Sequence, residues 1–271
     1  MVPVKSLGKR NVLGILVDAV DYEYVVNAVM LAAEEGRSLA VSALAVHGVM
    51  TGVMDVEHRY RLNALDIVTP DGQPVRWALN RLYGTQLQDR VYGPHIAEMV
   101  CGEAAQKGFS VYFYGTTPEI LDRLAEACRR RFPGLVIAGI EASKFRRTTP
   151  EEKREIVERI RSSGAQITFV GLGCPRQEIF AHEYRDALGM PVIAVGAAFD
   201  YLAGIRAEPP LLVQRMGLQW IHRLMQEPHR LWRRYLFLNP LYVMLLMFQA
   251  LRLWKPDPTN VRVPQRELMW G

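Results

Sequence analysis

Short apolar runs closed by turn residues alternate with segments of three-to-four spacing from Val12 to about Met216. That alternation predicts an α/β fold, a mostly parallel sheet with helices on its faces. The expected strands are residues 12–16, 38–44, 65–69, 110–114, 135–138, 166–170 and 192–195. Helical spacing fits between them at 22–35, 73–82, 94–107, 118–131, 150–163 and 176–188. Thr117-Pro118 and Thr149-Pro150 put a proline in the first turn behind a capping residue, as a helix start requires. After Gly204 the rhythm stops, so residues 1–205 are expected to form the core and residues 206–271 a basic, aromatic, helical appendage.

The appendage changes the picture most. It contains Gly217-Leu218-Gln219-Trp220, then Arg223, then Glu227-Pro228-His229-Arg230-Leu231-Trp232-Arg233-Arg234-Tyr235. Arg223, Arg230 and Arg233 stand at intervals of seven and three, on one helical face or on two short helices aimed at one place. Guanidinium forks gathered there suit diphosphate oxygens. Residues 241–254 are almost entirely apolar but carry Gln249 and Arg252, which suits a segment lying in a bilayer interface better than one crossing it.

A net charge of +5 favours an anionic partner, whether nucleic acid, phospholipid headgroups or a phosphorylated substrate. Basic residues interleaved with Trp220, Trp232 and Tyr235 turn that choice towards a membrane surface and away from nucleic acid. Cys101, Cys128 and Cys174 are widely spaced and form no CxxC pair, so neither a disulfide framework nor a zinc site is expected, and a reducing compartment fits. Residues 1–10 carry charges without an apolar run behind them and are taken as a short tail, which places the protein in the cytoplasm.

In an open α/β sheet, ligands bind beyond the carboxyl ends of the strands. Thr69-Pro70-Asp71-Gly72-Gln73-Pro74 puts one carboxylate at such an end. Asp71 could cap the next helix in a Pro-Asp-Gly turn or deprotonate a hydroxyl nucleophile, and residue types leave both open. In Gly171-Leu172-Gly173-Cys174-Pro175-Arg176-Gln177-Glu178, two glycines let amides face outward ahead of a helix start. Phosphate or ribose oxygens fit there, although a plain strand-to-helix turn has the same composition. The motif is not GxGxxG and no Walker lysine follows, so a nicotinamide pocket is not expected. Gly196-Ala197-Ala198-Phe199-Asp200 permits close backbone approach, with Asp200 as a sugar-hydroxyl partner or a helix cap. Arg90, ahead of another helix start, could neutralise a departing diphosphate or simply be solvated. His47 could also face the site, but no HxxxH, HxH or Asp-x-Asp spacing occurs, so no catalytic or diphosphate-holding metal is indicated.

Taken in order, TPDG, RVYG, FYG, GLGCPRQE, VGAAFDYLAG and GLQW with HRL and EPHRLWRRY resemble the WecG/TagA/CpsF family of glycosyltransferases over about residues 12–240. The resemblance implies a Rossmann-like core that uses no cofactor and no metal. It implies transfer of a sugar from a UDP-sugar to a polyprenyl-diphosphate-linked saccharide, with inversion, during bacterial surface polysaccharide or teichoic acid assembly at the inner face of the membrane. By motif, Asp71 is similar to the family's proposed general base and Arg90 to the arginine that steadies leaving UDP. Gln177 with Gly171, Gly173, Arg176 and Glu178 resembles the nucleotide-sugar contact. Ser42, His47, Thr69, Gly72, Gly93, His95, Gly115, Gly196, Phe199 and Asp200 fall in the same implied pocket, and Arg223, Arg230 and Arg233 resemble the arginines that reach a diphosphate.

The chain departs from the family pattern at Ser42-Ala43-Leu44, in place of Thr-x-Asn, and at His95 in place of aspartate. It departs again at Glu208-Pro209-Pro210 in place of Arg-Ala-Pro, and at Gln219 in place of glutamate. These changes resemble the exopolysaccharide branch and imply a donor other than N-acetylmannosamine, such as a hexose or uronic acid. A non-catalytic nucleotide- or lipid-diphosphate-binding protein is the alternative reading, and self-association is left open.

Overall fold

The computed structural model describes residues 6–271, except for the side chains of Leu211, Arg215, Arg230, Arg233 and Arg234. The chain opens with β1 (Ser6–Val12) and β2 (Ile15–Val20), an antiparallel pair that forms its own two-stranded sheet. Between them Leu13 and Gly14 both have positive φ, at 57° and 91°, as a two-residue hairpin turn matched to strand twist requires. The Asn11 side chain accepts the Gly14 amide at 2.7 Å and Gln249 accepts that of Leu13 at 3.0 Å. The expected strand at 12–16 is therefore corrected: those residues straddle a hairpin turn outside the parallel sheet. Val-Leu-Gly-Ile-Leu reads as one apolar run because the turn carries an apolar residue where Asn or Asp is usual.

Helix α1 (Tyr22–Glu34), capped by Asp21, leads to β3 (Leu39–Leu44). Two helices absent from the sequence reading follow, α2 (Val46–Met54) and α3 (Val56–Asn63). Next come β4 (Ile67–Pro70), α4 (Gln73–Tyr83), α5 (Gly93–Lys107), β5 (Ser110–Gly115) and α6 (Pro118–Arg131). The core continues with β6 (Val136–Glu141), α7 (Pro150–Ser162), β7 (Ile167–Gly171), α8 (Arg176–Leu188), β8 (Pro191–Ala194) and the short α9 (Ala198–Leu202). The six-stranded sheet has the order β4-β3-β8-β7-β5-β6, every neighbouring pair parallel. Parallel strands are buried on both faces, and β5 shows how. Tyr112 and Tyr114 enter the core on one side of the sheet, with Phe180 and Tyr184, whereas Val111 and Phe113 enter the other, with Phe169 and Phe199.

After the core come α10 (Leu211–Arg215), α11 (Gln219–Gln226), α12 (Pro228–Arg233), a π-helical turn (Arg234–Leu238) and α13 (Asn239–Ala250). Tyr242 of α13 is buried and its hydroxyl donates to Pro74 O at 3.2 Å, while Gln249 also donates to Asn11 O at 2.8 Å. The outer side of α13 leaves Val243, Met244 and Met247 exposed, followed by Leu251, Leu253 and Trp254. No helix among the described residues is long and apolar enough to cross a membrane. Beyond α13 the chain runs back over the core. The carbonyls of Pro256, Pro258 and Asn260 accept hydrogen bonds from Asn11 (2.7 Å), Asn63 (3.1 Å) and Arg59 (3.0 Å).

His58 of α3 is 3% exposed and neither ring nitrogen has a hydrogen-bond partner. Burial lowers its pKa from 6.5 to about 4. The unfolded chain therefore takes up a proton near pH 6.5 that the folded protein refuses until about pH 4, so stability falls as pH drops through that window and levels off below it. The full difference is about 3 kcal/mol. We expect urea midpoints measured at pH 7 and pH 4.5 to fall much less in His58→Leu than in the wild type. The remaining slope should include His182, whose pKa burial also lowers.

Candidate active site

The segments leaving β3, β4, β7 and β8 surround a cleft of about 900 Å³ at the carboxyl edge of the sheet, and Gln214, Trp220, Arg223, Leu231 and Tyr235 roof it. That volume lies near the upper end of the range of about 300–1,000 Å³ usual for ligand pockets. Asp71, at the end of β4, projects a carboxylate from its wall. Its Oδ2 accepts the amide of Gly93, the first residue of α5, at 3.1 Å. The carboxylate therefore sits at the positive end of a fifteen-residue helix, held there by that amide. The helix that Asp71 serves is not the next one in sequence, since α4 is preceded by Gly72 and receives no side-chain cap.

Missing caps recur around the cleft. Helices α2, α4 and α8 all open on it through Val46, Gln73 and Arg176, and none has a side chain accepting its first amides. Helices α1, α3 and α7 do have such caps, in Asp21, Asp55 and Thr149. Uncapped helix starts leave N–H donors and the positive end of the helix dipole facing the cavity, which suits an anionic ligand.

Arginines add to that field. Arg90 is 6% exposed, its guanidinium lying 4.0 Å from the centre of the Tyr92 ring. It donates to the Asp71 carbonyl at 3.4 Å, to Gln214 at 2.9 Å and to the side-chain oxygen of Gln219. The core thus holds the appendage through one buried cation shared with two neutral amides. Gln219 in turn donates to the Tyr92 hydroxyl at 3.3 Å, and burial pushes the pKa of that phenol well up. Arg223 also lines the cleft, and its buried Nε has no hydrogen-bond partner.

Most of the residues singled out in the sequence line this one cavity: His47, Asp71, Gly72, Arg90, Gly171, Gly173, Arg176, Gln177, Glu178, Gly196, Phe199, Asp200 and Arg223. Several of them are also tied to the protein itself. Gln177 is buried behind the glycine segments, accepting the Gly173 amide at 3.1 Å and donating to Glu178 at 2.9 Å. Glu178 also accepts from Ser42 at 3.3 Å; burial raises its pKa, and its Oε2 has no partner. Ser42 itself is fully buried behind the wall. Asp200 pairs with Arg206 at 3.2 Å, and Arg206 continues to Glu227 of the appendage at 2.9 Å. Phe199 is a floor residue, buried edge-on against Phe113.

Other positions do not line the cleft. Thr69 is fully buried and donates to Val91 O at 2.9 Å, and Gly115 is paired in register with Gly171 inside the sheet. His95 is exposed, with Glu98 at 3.4 Å and the Tyr22 ring at 4.7 Å. The side chains of Arg230 and Arg233 lie outside the described residues. Tyr92, Tyr201, Gln214 and Gln219 line the site without having been assigned to it. Tyr92, Tyr201 and Gln219 fall inside the motifs RVYG, VGAAFDYLAG and GLQW without being singled out there as ligand contacts, and Gln214 carries no pattern that marks it. Among the described residues no group of three His, Cys, Asp or Glu side chains could hold a metal ion.

Gly93 is packed where a side chain has no room. A Cβ there would lie 3.0 Å from Val195 O and 3.4 Å from Asp71 Oδ2. Gly93→Ala should therefore shift the helix start away from Asp71 and cost about 1–3 kcal/mol, as overpacking does, measured as a lower urea midpoint at unchanged slope.

Comparison with known proteins assigns residues 10–256 to the glycosyl transferase WecG/TagA/CpsF family. A relative from Bacillus spizizenii, N-acetylglucosaminyldiphosphoundecaprenol N-acetyl-beta-D-mannosaminyltransferase, is 33% identical over 200 residues, which cover 73% of this chain and 75% of the relative.

Proposed function

The chain belongs to the WecG/TagA/CpsF glycosyl transferase family, and we propose that it moves a sugar from a UDP-sugar to a polyprenyl-diphosphate-linked saccharide in the assembly of a bacterial surface polysaccharide. The observation that carries this reading is one cleft in which a carboxylate pinned by Gly93 stands among Arg90, Arg223 and three uncapped helix starts. The acceptor class is supported by the printed name of the Bacillus relative, a transferase acting on a sugar-diphosphate lipid. A donor other than N-acetylmannosamine, such as a hexose or uronic acid, is the reading that the departures at Ser42-Ala43-Leu44, His95, Glu208-Pro209-Pro210 and Gln219 support.

Asp71 takes the proton from the acceptor hydroxyl as that oxygen attacks the anomeric carbon. The bond to the diphosphate breaks on the opposite face, so the configuration inverts. Charge that builds on departing UDP is met by Arg90, Arg223 and the helix amides, which do the work a divalent cation does elsewhere. The exposed apolar side of α13 supports association with the inner membrane surface, where a lipid-linked acceptor resides.

Asp71→Asn keeps the shape and loses the basic oxygen. Turnover should fall by about two to four orders of magnitude while UDP binding, measured by calorimetry, stays close to wild type. A variant that retains turnover would remove Asp71 from the chemistry. Arg90→Ala should lower kcat more than it raises KM if the cation acts on charge developing in the transition state, and an unchanged kcat with raised KM would assign it to ground-state binding.

A further inference from the structure

The family match ends at residue 256, and residues 257–271 beyond it run to the loop 143–148 and to Arg176, which with Phe145 of that loop lines the cleft. We propose that this segment is a strap that positions Arg176 and the loop 143–148 at the donor end of the site, with Trp270 as the positioning residue for Arg176. The proposal rests on the reading of the cleft as a nucleotide-sugar site.

The strap is fastened at a buried ion pair. Arg61 and Glu183 lie 3.3 Å apart with their side chains 1% and 3% exposed. A charge pair that deeply buried needs further partners. The strap supplies them: Glu183 accepts the amides of Leu268 at 2.9 Å and Met269 at 2.8 Å, and Arg61 donates to Arg266 O at 3.4 Å. Past this anchor the backbone pairs with the loop after β6. Met269 O accepts both the amide (2.7 Å) and the hydroxyl (2.8 Å) of Thr148, and Gly271 donates to Arg146 O at 3.2 Å. Ser143 closes the far end, donating through its hydroxyl to Gly271 O at 2.8 Å. This loop carries Phe145, an exposed aromatic on the cleft lining held at φ 55°. A side chain in that left-handed conformation persists only when its surroundings enforce it.

Trp270 lies between two cations. The Arg147 guanidinium is 5.7 Å and that of Arg176 is 5.5 Å from its ring. Arg176 lines the cleft as the first residue of α8. A long arginine loses rotamer freedom when it grips an anion, and the indole removes part of that cost in advance. Trp270 therefore acts on the ligand only through Arg176.

The test uses the full chain, because removing the strap would strand the Arg61–Glu183 pair and unfold the site. UDP affinity is measured for wild type, Trp270→Ala, Trp270→Phe, Arg176→Ala and the Trp270→Ala/Arg176→Ala double variant, alongside hydrogen exchange of amides 143–148. Trp270→Ala should weaken UDP by about two- to fivefold, the worth of an exposed cation–π contact. Trp270→Phe should restore most of it, and the alanine should cost nothing further once Arg176 is gone. Exchange at 143–148 should quicken in Trp270→Ala. Unchanged UDP affinity in Trp270→Ala, or an equal loss on the Arg176→Ala background, overturns the positioning role. If wild type binds no UDP, it is the nucleotide-sugar reading that fails. The strap is then judged by exchange alone, faster exchange upholding it and unchanged protection overturning it.

Discussion

Positive charge is what the cleft concentrates, and the backbone imposes that before any side chain does. A parallel sheet sends each strand into a helix whose start faces the same edge, and here α2, α4 and α8 leave their first amides uncapped at that edge. Partial positive charge then collects in one place whatever the side chains are. Arg90, Arg176 and Arg223 deepen it. Within this field, the Asp71 carboxylate is held in position by the amide at the start of α5.

The rest of the molecule serves to close that edge. Arg90 is buried between core and appendage, where two glutamines share it without neutralising it, so its charge stays available to a diphosphate. The Asp200–Arg206–Glu227 chain ties the floor of the cleft to the appendage by a second route. Tyr242 and Gln249 seat α13 against α4 and the β1–β2 hairpin, which leaves the opposite side of α13 apolar and open. A lipid-linked acceptor held at a membrane surface would meet the cleft from that direction.

The fold was legible in the sequence wherever burial on both faces wrote continuous apolar runs, as in β3, β5, β7 and β8. It was illegible where the same composition served another purpose. Leu13 in a hairpin turn extended an apolar run across two strands, and the glycines and β-branched residues of Val46-His47-Gly48-Val49-Met50-Thr51-Gly52 hid α2. At the site, strand ends located the cleft but could not separate lining from support. Ser42 stands beside Ala43 of the cleft lining but is buried, because neighbouring strand residues face opposite ways, and Thr69 is turned to the carbonyl of Val91. Gln214 became visible only through the buried guanidinium that it shares with Gln219. Residues 257–271 carry no helical or strand period, and their place against the loop 143–148 is set by backbone hydrogen bonds that composition does not record.

The central claim is direct displacement at an anomeric carbon by a hydroxyl that Asp71 deprotonates. It is tested most directly by incubating the purified chain with a UDP-α-sugar and a polyprenyl-diphosphate-linked saccharide in the presence of a chelator, and reading the anomeric configuration of the product by NMR. The account predicts a single transfer with inversion, giving the β-linked product undiminished by the chelator. A retained α linkage, or transfer abolished by the chelator and restored by a divalent cation, would contradict it.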